Sequence, residues 1–282
     1  MKGKFPLLPR RKNTDKSAYG HALVVGGSDE MPGAAILASR AALVSGAGLV
    51  TLASTARVTT LAAPRNPELL LKPLASRAGS LLASSAGGIL RYAEKRRVNA
   101  AVVGPGLSTR GDAVRLARNL ARNFAVPFVL DADGLNAFRG RAADLKKRMS
   151  PAVLTPHARE FERVFGEPAP EAPPARRRLV KRLAAAYDIV LVLKGHRTLV
   201  SDGRRVYENR TGGPALAKGG SGDVLAGMAA AFLAQKLKPF EAACWAVYLH
   251  GKAGDRAARR SSELSVTATM LLVELPGALR SA

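Results

Sequence analysis

Cysteine is almost missing from this chain. Cys244 is the single one in 282 residues, so no disulfide can close within it. That suits a reducing compartment. The thiol sits in the helical-looking EAACWAVYLHGKAG, where a small buried side chain is a better reading than a nucleophile. Aromatic residues are scarce at 5%, and few lie between the basic clusters, so there is no evident platform for stacking nucleic-acid bases. No apolar run approaches the ~18–20 residues that cross a bilayer. The N-terminal MKGKFPLLPRRKNTDK is basic but has no apolar core of a secretory signal, and it is short for a transit peptide. A cytoplasmic protein with no membrane partner is the expectation. Several motifs are also missing. There is no GxxxxGK[ST], and no GxGxxG between a first strand and helix, which disfavours P-loop and Rossmann dinucleotide folds. GGSGD has Asp223 where a GxSxG nucleophile elbow needs glycine, so Ser221 is not supported as a hydrolase nucleophile. The four histidines (His21, His157, His196, His250) show no zinc spacing.

Acidic residues are outnumbered, 21 against 44 Lys and Arg, for a formal net charge of +23. Such a field suits nucleic acid, an anionic surface or anionic substrates. The basic residues are scattered through LPRRK, EKRR, LKKR, ARRRLVKR and RAARR. ARRRLVKRLAAAYD reads as an amphipathic helix with a solvated basic face. A basic nucleic-acid-binding protein is therefore the weaker reading of the charge, and nucleic acid is not expected as a partner.

Hydrophobic residues make up 47% of the chain, an ordinary globular value. Apolar β-branched runs alternate with alanine-rich helical segments. The strand candidates are HALVVGG, GLVTLAS, NAAVVGPG, VPFVLDAD, PAVLTPH and DIVLVLKG. Several are apolar throughout, as strands covered on both faces should be. Helices are predicted over AAILASRAALVSG, DAVRLARNLARN, REFERVFG, PPARRRLVKRLAAAY, DVLAGMAAAFLAQK, FEAACWAVYLHGKAGDRAAR and TATMLLVELPGAL. TLVSDGRRVYENR predicts a hairpin turning at Asp202 and Gly203. The pattern is α/β: a doubly wound, mostly parallel sheet in an α-β-α sandwich, with residues 1–282 as one domain.

Candidate chemistry gathers after the strands, in GGSDEMPGA, GPGLS, DADGLN, TPHARE and KGHRT, which is the ligand edge of an open α/β sheet. AKGGSGDVLAG adds a glycine loop feeding a helix. Its free N–H groups and partial positive charge make an anion site. An aspartate there is odd: either Ser221 or Asp223 caps the helix, or Asp223 has chemistry of its own. In DADGLN, Asp131 and Asp133 would share a face if the strand continued, and could hold Mg²⁺ or ribose hydroxyls. Alternatively, Asp133 caps the next helix. His157 after Pro156 is either a helix-entry residue or a ligand contact, and Glu160 reads as the partner in a capping box. Lys194 at a buried strand end faces either a phosphate or a strand-end aspartate.

These stretches together resemble the NAD(P)H-hydrate dehydratases of the ribokinase-like superfamily. The matching segments are GHALVVGGSDEMPGAAILASRAALVSGAGLVTLA, GPGLS, LDADGLN, LTPHAREF, VLKGHRT and TGGPALAKGGSGDVLAGM, in the family's order from about Gly20 to Met228. The resemblance implies repair of NADHX or NADPHX, hydrated at C6 of the nicotinamide ring. Dehydration is driven by ADP or ATP with Mg²⁺, through phosphorylation of the hydroxyl and loss of phosphate. It implies Asp223 as catalytic base, its carboxylate kept ionised by the helix dipole. Gly219, Gly220, Ser221 and Gly222 would form an anion hole. Lys194, Gly195, His196, Arg197, Thr198 and Gly222 would bind the nucleotide. Ala34, Gly106, His157 and Asp223 would contact the hydrated dinucleotide, with Asp133 and Asn136 as weaker site candidates and no metal ligands assigned. It further implies a homo-oligomer, a tetramer by resemblance, and a separate epimerase, since no N-terminal epimerase domain fits before residue 20. A ribokinase-like kinase of a vitamin or sugar alcohol is the alternative with the same loop and aspartate.

Overall fold

A computed structural model describes residue 10 and residues 12–282, so most of the basic N-terminal stretch discussed above lies outside the described residues. The strands are β1 (His21–Val25), β2 (Leu49–Thr55), β3 (Leu70–Leu74), β4 (Ser76–Arg77), β5 (Ser80–Leu81), β6 (Ala100–Val103), β7 (Phe128–Leu130), β8 (Ala152–Leu154), β9 (Val190–Leu193), β10 (Leu199–Ser201) and β11 (Val206–Glu208). The helices are α1 (Pro32–Val44), α2 (Ala56–Ala62), α3 (Ser85–Lys95), α4 (Gly111–Asn123), the single turn α5 (Asp133–Asn136), α6 (Ala158–Phe165), α7 (Pro173–Tyr187), α8 (Ser221–Ala234), α9 (Pro239–Arg260) and α10 (Ala268–Arg280). Nine strands form one sheet in the order β11-β10-β9-β8-β7-β6-β1-β2-β3. From β9 to β3 every pairing is parallel, and β10 and β11 are antiparallel. The predicted hairpin is β10–β11, with Ser201 opposite Val206.

Alternation along the strands assigns the two faces. Ala22, Val24, Val50, Leu52, Val102, Val129 and Val153 pack with α1, α2, α8, α9 and α10. Leu23, Val25, Ala53, Val103, Phe128, Leu130 and Leu154 pack with α3 to α7. Because both faces are covered, the central strands read as continuous apolar runs. The helix α8 is the innermost: all but Gly222 and Asp223 of its fourteen residues are buried. It runs under β1, β6 and β7 and against α1. Gly227 makes that contact possible, since a Cβ there would stand 2.0 Å from the Ala38 carbonyl oxygen. The first turn of α8 is thereby fixed at the carboxyl edge of the sheet.

The chain reverses its direction across the sheet between β1 and β6, and the loops after these strands touch there. Gly27 N–H donates to the Pro105 carbonyl at 2.8 Å. A Cβ on Gly26 would lie 2.4 Å from that oxygen. This crevice is where doubly wound sheets place ligands.

Neither of the two readings of Asp133, as a continuation of β7 or as a helix cap, is realised. Ala132 has φ +49°, a left-handed value, and starts the turn α5. The two aspartates therefore face different partners. Asp131 turns to Thr155 and Lys194, whereas Asp133 accepts from Ser108 N–H at 2.8 Å.

Candidate functional site

Three strand ends supply a buried charge cluster. Lys194, just after β9, donates from Nζ to Asp131 Oδ1 at 2.9 Å and lies 3.7 Å from Glu160 Oε2. The Thr155 hydroxyl donates to the same Asp131 oxygen at 2.7 Å. The ion-pair reading of Lys194 thus holds. Burial alone would lower the Lys194 pKa, but Asp131 and Glu160 outweigh it and hold it above the usual lysine value. Lys194 is a fixed cation at the edge of the cavity.

His157 is the N-cap of α6. Its Nδ1 accepts from the N–H groups of Arg159 (3.1 Å) and Glu160 (3.2 Å), and Glu160 Oε2 accepts from His157 N–H at 2.9 Å. This is the capping box expected for Glu160. Burial lowers the His157 pKa against the upward pull of Glu160, which keeps Nδ1 free to accept.

The glycine loop behaves differently from its capping alternative. The N-cap of α8 is Gly220, in left-handed conformation at φ +86°, and no side chain caps the helix. Ser221 is the first helical residue, with Oγ 3.1 Å from His250 Nε2. Gly222 faces the cluster: a Cβ there would stand 3.2 Å from Lys194 Nζ and 3.9 Å from Asp131 Oδ2. At Gly219 a Cβ would meet nothing within 4 Å. Asp223, in the first turn, has its pKa pushed up to about 7. Burial is the main cause, followed by Asp131, with Asp133 and Glu160 adding to it and Lys194 opposing. The expectation that the helix dipole keeps this carboxylate ionised is therefore corrected. Desolvation and three like charges outweigh the dipole, and near neutral pH the proton is shared about equally.

The segment Gly195–Thr198 folds back on itself. Thr198 Oγ1 donates to the Gly195 carbonyl at 3.0 Å, and Arg176 of α7 donates to the His196 carbonyl at 3.1 Å. Arg197, at φ +52°, pairs with Glu208 of β11 at 3.3 Å. This turn, the charge cluster and the α8 loop enclose a cavity of about 690 Å³. Of the predicted residues it brings together His157, Lys194, Gly195, His196, Arg197, Thr198, Gly220, Ser221, Gly222 and Asp223.

The other predicted residues stand apart from that lining. Ala34 and Gly106 lie at the β1/β6 crevice, against each other: a Cβ on Gly106, φ +61°, would be 3.0 Å from Ala34 Cβ. Asp133 and Asn136 hydrogen-bond together at 3.2 Å and tie α5 to the loop after β6. Gly219 borders the loop without lining the cavity.

Asp131, read from the sequence as one of a carboxylate pair, is one percent exposed and central to the charge cluster. The structure adds residues that sequence reasoning had not assigned to the site. Asn209, Thr211 and His250 line the cavity wall. Asn209 is the second-last residue of the predicted hairpin segment, two positions before TGG, which was the available signal for it. His250 looked like one more position on an apolar helix.

Among the described residues no group of three or more His, Cys, Asp or Glu could hold a metal ion. Asp131 and Glu160 are two carboxylates flanking Lys194, which fits Mg²⁺ only when it arrives with phosphate oxygens. A second cavity, about 640 Å³, lies at the opposite edge of the sheet, between the starts of β8, β9 and α9. Arg205, on its wall, is already paired with Asp202 and Glu241. Among the described residues no glycine loop, and no helix start other than Lys238–Glu241, faces it.

The profile of a family described as NAD(P)H-hydrate dehydratase matches residues 22–277. The chain is similar to a bifunctional NAD(P)H-hydrate repair enzyme of Moorella thermoacetica, with 41% identity over 279 residues, 97% of this chain and 52% of the relative. It spans about half the length of the bifunctional relatives it matches. An ADP-dependent (S)-NAD(P)H-hydrate dehydratase of Cenarchaeum symbiosum is 35% identical over 272 residues, 96% of this chain and 92% of that one. Among solved structures, an ADP/ATP-dependent NAD(P)H-hydrate dehydratase from Bacillus subtilis, co-crystallized with ATP/Mg²⁺, superposes with TM-score 0.80 and 32% identity, covering 98% of this chain and 94% of that chain. A ribokinase-like superfamily protein from Enterococcus faecalis V583 superposes with TM-score 0.81 and 26% identity, covering 98% and 92%. The ribokinase-like α/β fold expected from the sequence is borne out.

Proposed function

The chain belongs to the NAD(P)H-hydrate dehydratase family, and from that premise we propose that it repairs hydrated nicotinamide cofactor, dehydrating the S epimer of NADHX or NADPHX at the expense of ADP or ATP. The observation that carries this reading is Asp223. It is a carboxylate with a pKa of about 7, placed in the first turn of a helix beside a glycine loop and a fixed lysine. A base poised near neutrality suits removal of a hydroxyl proton.

The nucleotide would occupy the large cavity, with Lys194 and the turn Gly195–Thr198 around it and its terminal phosphate toward Gly220, Ser221 and Gly222. The N–H groups of the α8 start would stabilise charge on the phosphoryl group as it moves. The hydrated dinucleotide would enter by the β1/β6 crevice, past Ala34 and Gly106, and bring its C6 hydroxyl to Asp223. Asp223 takes the hydroxyl proton as the oxygen bonds to the terminal phosphorus, and the nucleotide leaves one phosphoryl group shorter. The ring nitrogen's lone pair then expels phosphate from C6. Loss of a proton from the adjacent ring carbon restores the dihydronicotinamide. Mg²⁺ would arrive with the nucleotide's phosphates, next to the cluster of Asp131, Glu160 and Lys194, and would supply charge neutralisation for the transfer.

The test is a rise in the near-ultraviolet absorbance of reduced nicotinamide. Protein is mixed with hydrated NADH, Mg²⁺ and either ADP or ATP, beside an Asp223→Asn control. A rise with one nucleotide, absent in the control, is the expected result and names the phosphoryl donor. A stable phosphorylated product with no rise would instead identify a small-molecule kinase.

A further inference from the structure

His250, on α9, is 7% exposed and meets the first turn of α8. Its Nε2 lies 2.9 Å from the Ser221 carbonyl oxygen and 3.1 Å from Ser221 Oγ. A carbonyl oxygen only accepts, so Nε2 carries the proton. Burial lowers the ring's pKa to about 4, so the imidazole is neutral. One N–H thus serves both oxygens of Ser221. The hydroxyl is engaged as an acceptor, and its own proton is left over. Among the described residues no protein group takes that proton. Both residues line the large cavity, beside Lys194 and Gly222.

Ser221 is also the only residue from 219 to 222 with a side chain. Its glycine neighbours set no rotamer and impose little on the backbone. No side chain caps α8. The His250 bond ties Ser221 itself to α9, where Thr211 and Gly212 upstream are already held by Tyr248 and Asp255.

We propose that His250 is a positioning residue that holds Ser221 so that its hydroxyl proton is presented to an oxygen of the nucleotide's terminal phosphoryl group. The inference rests on the nucleotide reading of this cavity. It adds a side-chain donor to the backbone donors of the loop. A hydroxyl donating to an ionised oxygen makes one of the stronger kinds of hydrogen bond.

Three variants test it. Ser221→Ala removes the donor. His250→Phe keeps a ring but no N–H. His250→Gln returns an amide N–H near the position of imidazole Nε2. ADP and ATP binding with Mg²⁺ is measured by calorimetry, together with kcat and the KM for each substrate. Ser221→Ala and His250→Phe should each weaken nucleotide binding about tenfold. The double variant should be no worse than either single one, because both remove the same interaction. His250→Gln should recover most of the loss, and the KM for the hydrated dinucleotide should hardly move.

Nucleotide affinity and kcat unchanged in Ser221→Ala overturn the proposal, as do losses that simply multiply in the double variant. If His250→Phe fails to fold, a weakened Ser221→Ala beside a near-normal His250→Gln still supports it. Side-chain nitrogen NMR gives a readout independent of any ligand: the Nε2–H tautomer is expected, and an Nδ1–H tautomer at His250 overturns the idea. A wild-type protein that binds nucleotide as described but never restores NADH refutes the repair reading alone and leaves the role of His250 standing.

Discussion

Asp223 is the residue on which most depends, and its raised pKa has two measurable signs. For the base to work it must be ionised, so kcat/KM should fall about tenfold per pH unit below about 7 and level off above it. A flat profile between pH 5 and about 8 would remove Asp223 as the base. The second sign concerns folding. The native value exceeds the ordinary 3.8, so between those values the folded state holds the proton more tightly than the unfolded one. The associated stability is full in acid and is lost as the pH rises through about 7. Asp223→Asn resembles the protonated form. It should match the wild type near pH 4 and exceed it at pH 8 by an amount on the order of 2–4 kcal/mol, read by denaturant melts. The same variant should lose at least about a hundredfold in kcat. The aspartate itself was legible from its odd place after a glycine loop. Its protonation was not, because burial and the charges of Asp131, Asp133 and Glu160 come from strand ends far apart in the chain. Asp131 and Lys194 show the same limit: 63 residues separate them, and the sequence left Lys194 facing either a phosphate or an unnamed strand-end aspartate.

The loop entering α8 separates two kinds of glycine. At Gly220 the backbone is left-handed, and a Cβ would strike Leu37 Cδ1 at 2.7 Å and Ala268 Cβ at 2.9 Å. Gly220→Ala should lower stability by about 1–3 kcal/mol, visible as a lower Tm. At Gly222 the nearest atom to a Cβ is the tip of Lys194 at 3.2 Å, which can yield. Gly222→Ala should keep nearly its full Tm yet raise the KM for nucleotide, because the methyl group occupies the space between helix start and ammonium. Long elements with one clear period were legible in the sequence: α4, α7, α8 and α9 match their predicted segments to within a few residues. What escaped was short or mixed in character. The edge strand β3 carries Lys72 and Pro73 and is only half-buried, so it lacks the apolar run of its neighbours. The helix α3 includes Gly87 and Gly88, and α2 has seven residues with Val58, Thr59 and Thr60, all poor helix formers. The β4–β5 hairpin turns through Ala78 and Gly79, both left-handed, and alanine gives no warning of that.

Over the whole molecule, the net charge is +23, and its basic residues are scattered along the chain. Both proposed substrates are polyanions, so the long-range field should speed their capture. Raising ionic strength from about 50 to 500 mM should lower kcat/KM severalfold with little change in kcat, since added salt screens distant charges first. A kcat/KM insensitive to salt would assign the arginines no part in capture. The placement of α8 has one more consequence, and it concerns the order of synthesis. This helix covers β1, β6 and β7, yet it leaves the ribosome some 200 residues after β1. At roughly 5–20 residues per second, the strip of β1 that α8 covers waits about 10–40 s for it, with only α1 and α2 of that layer already made. The innermost helix of that face, completed later by α9 and α10, is the one that brings Gly220, Ser221, Gly222 and Asp223 into place. A chain stalled before residue 221 therefore lacks both the innermost helix of that face and the proposed site, so closing the interior and completing the site fall in the same late stretch of synthesis.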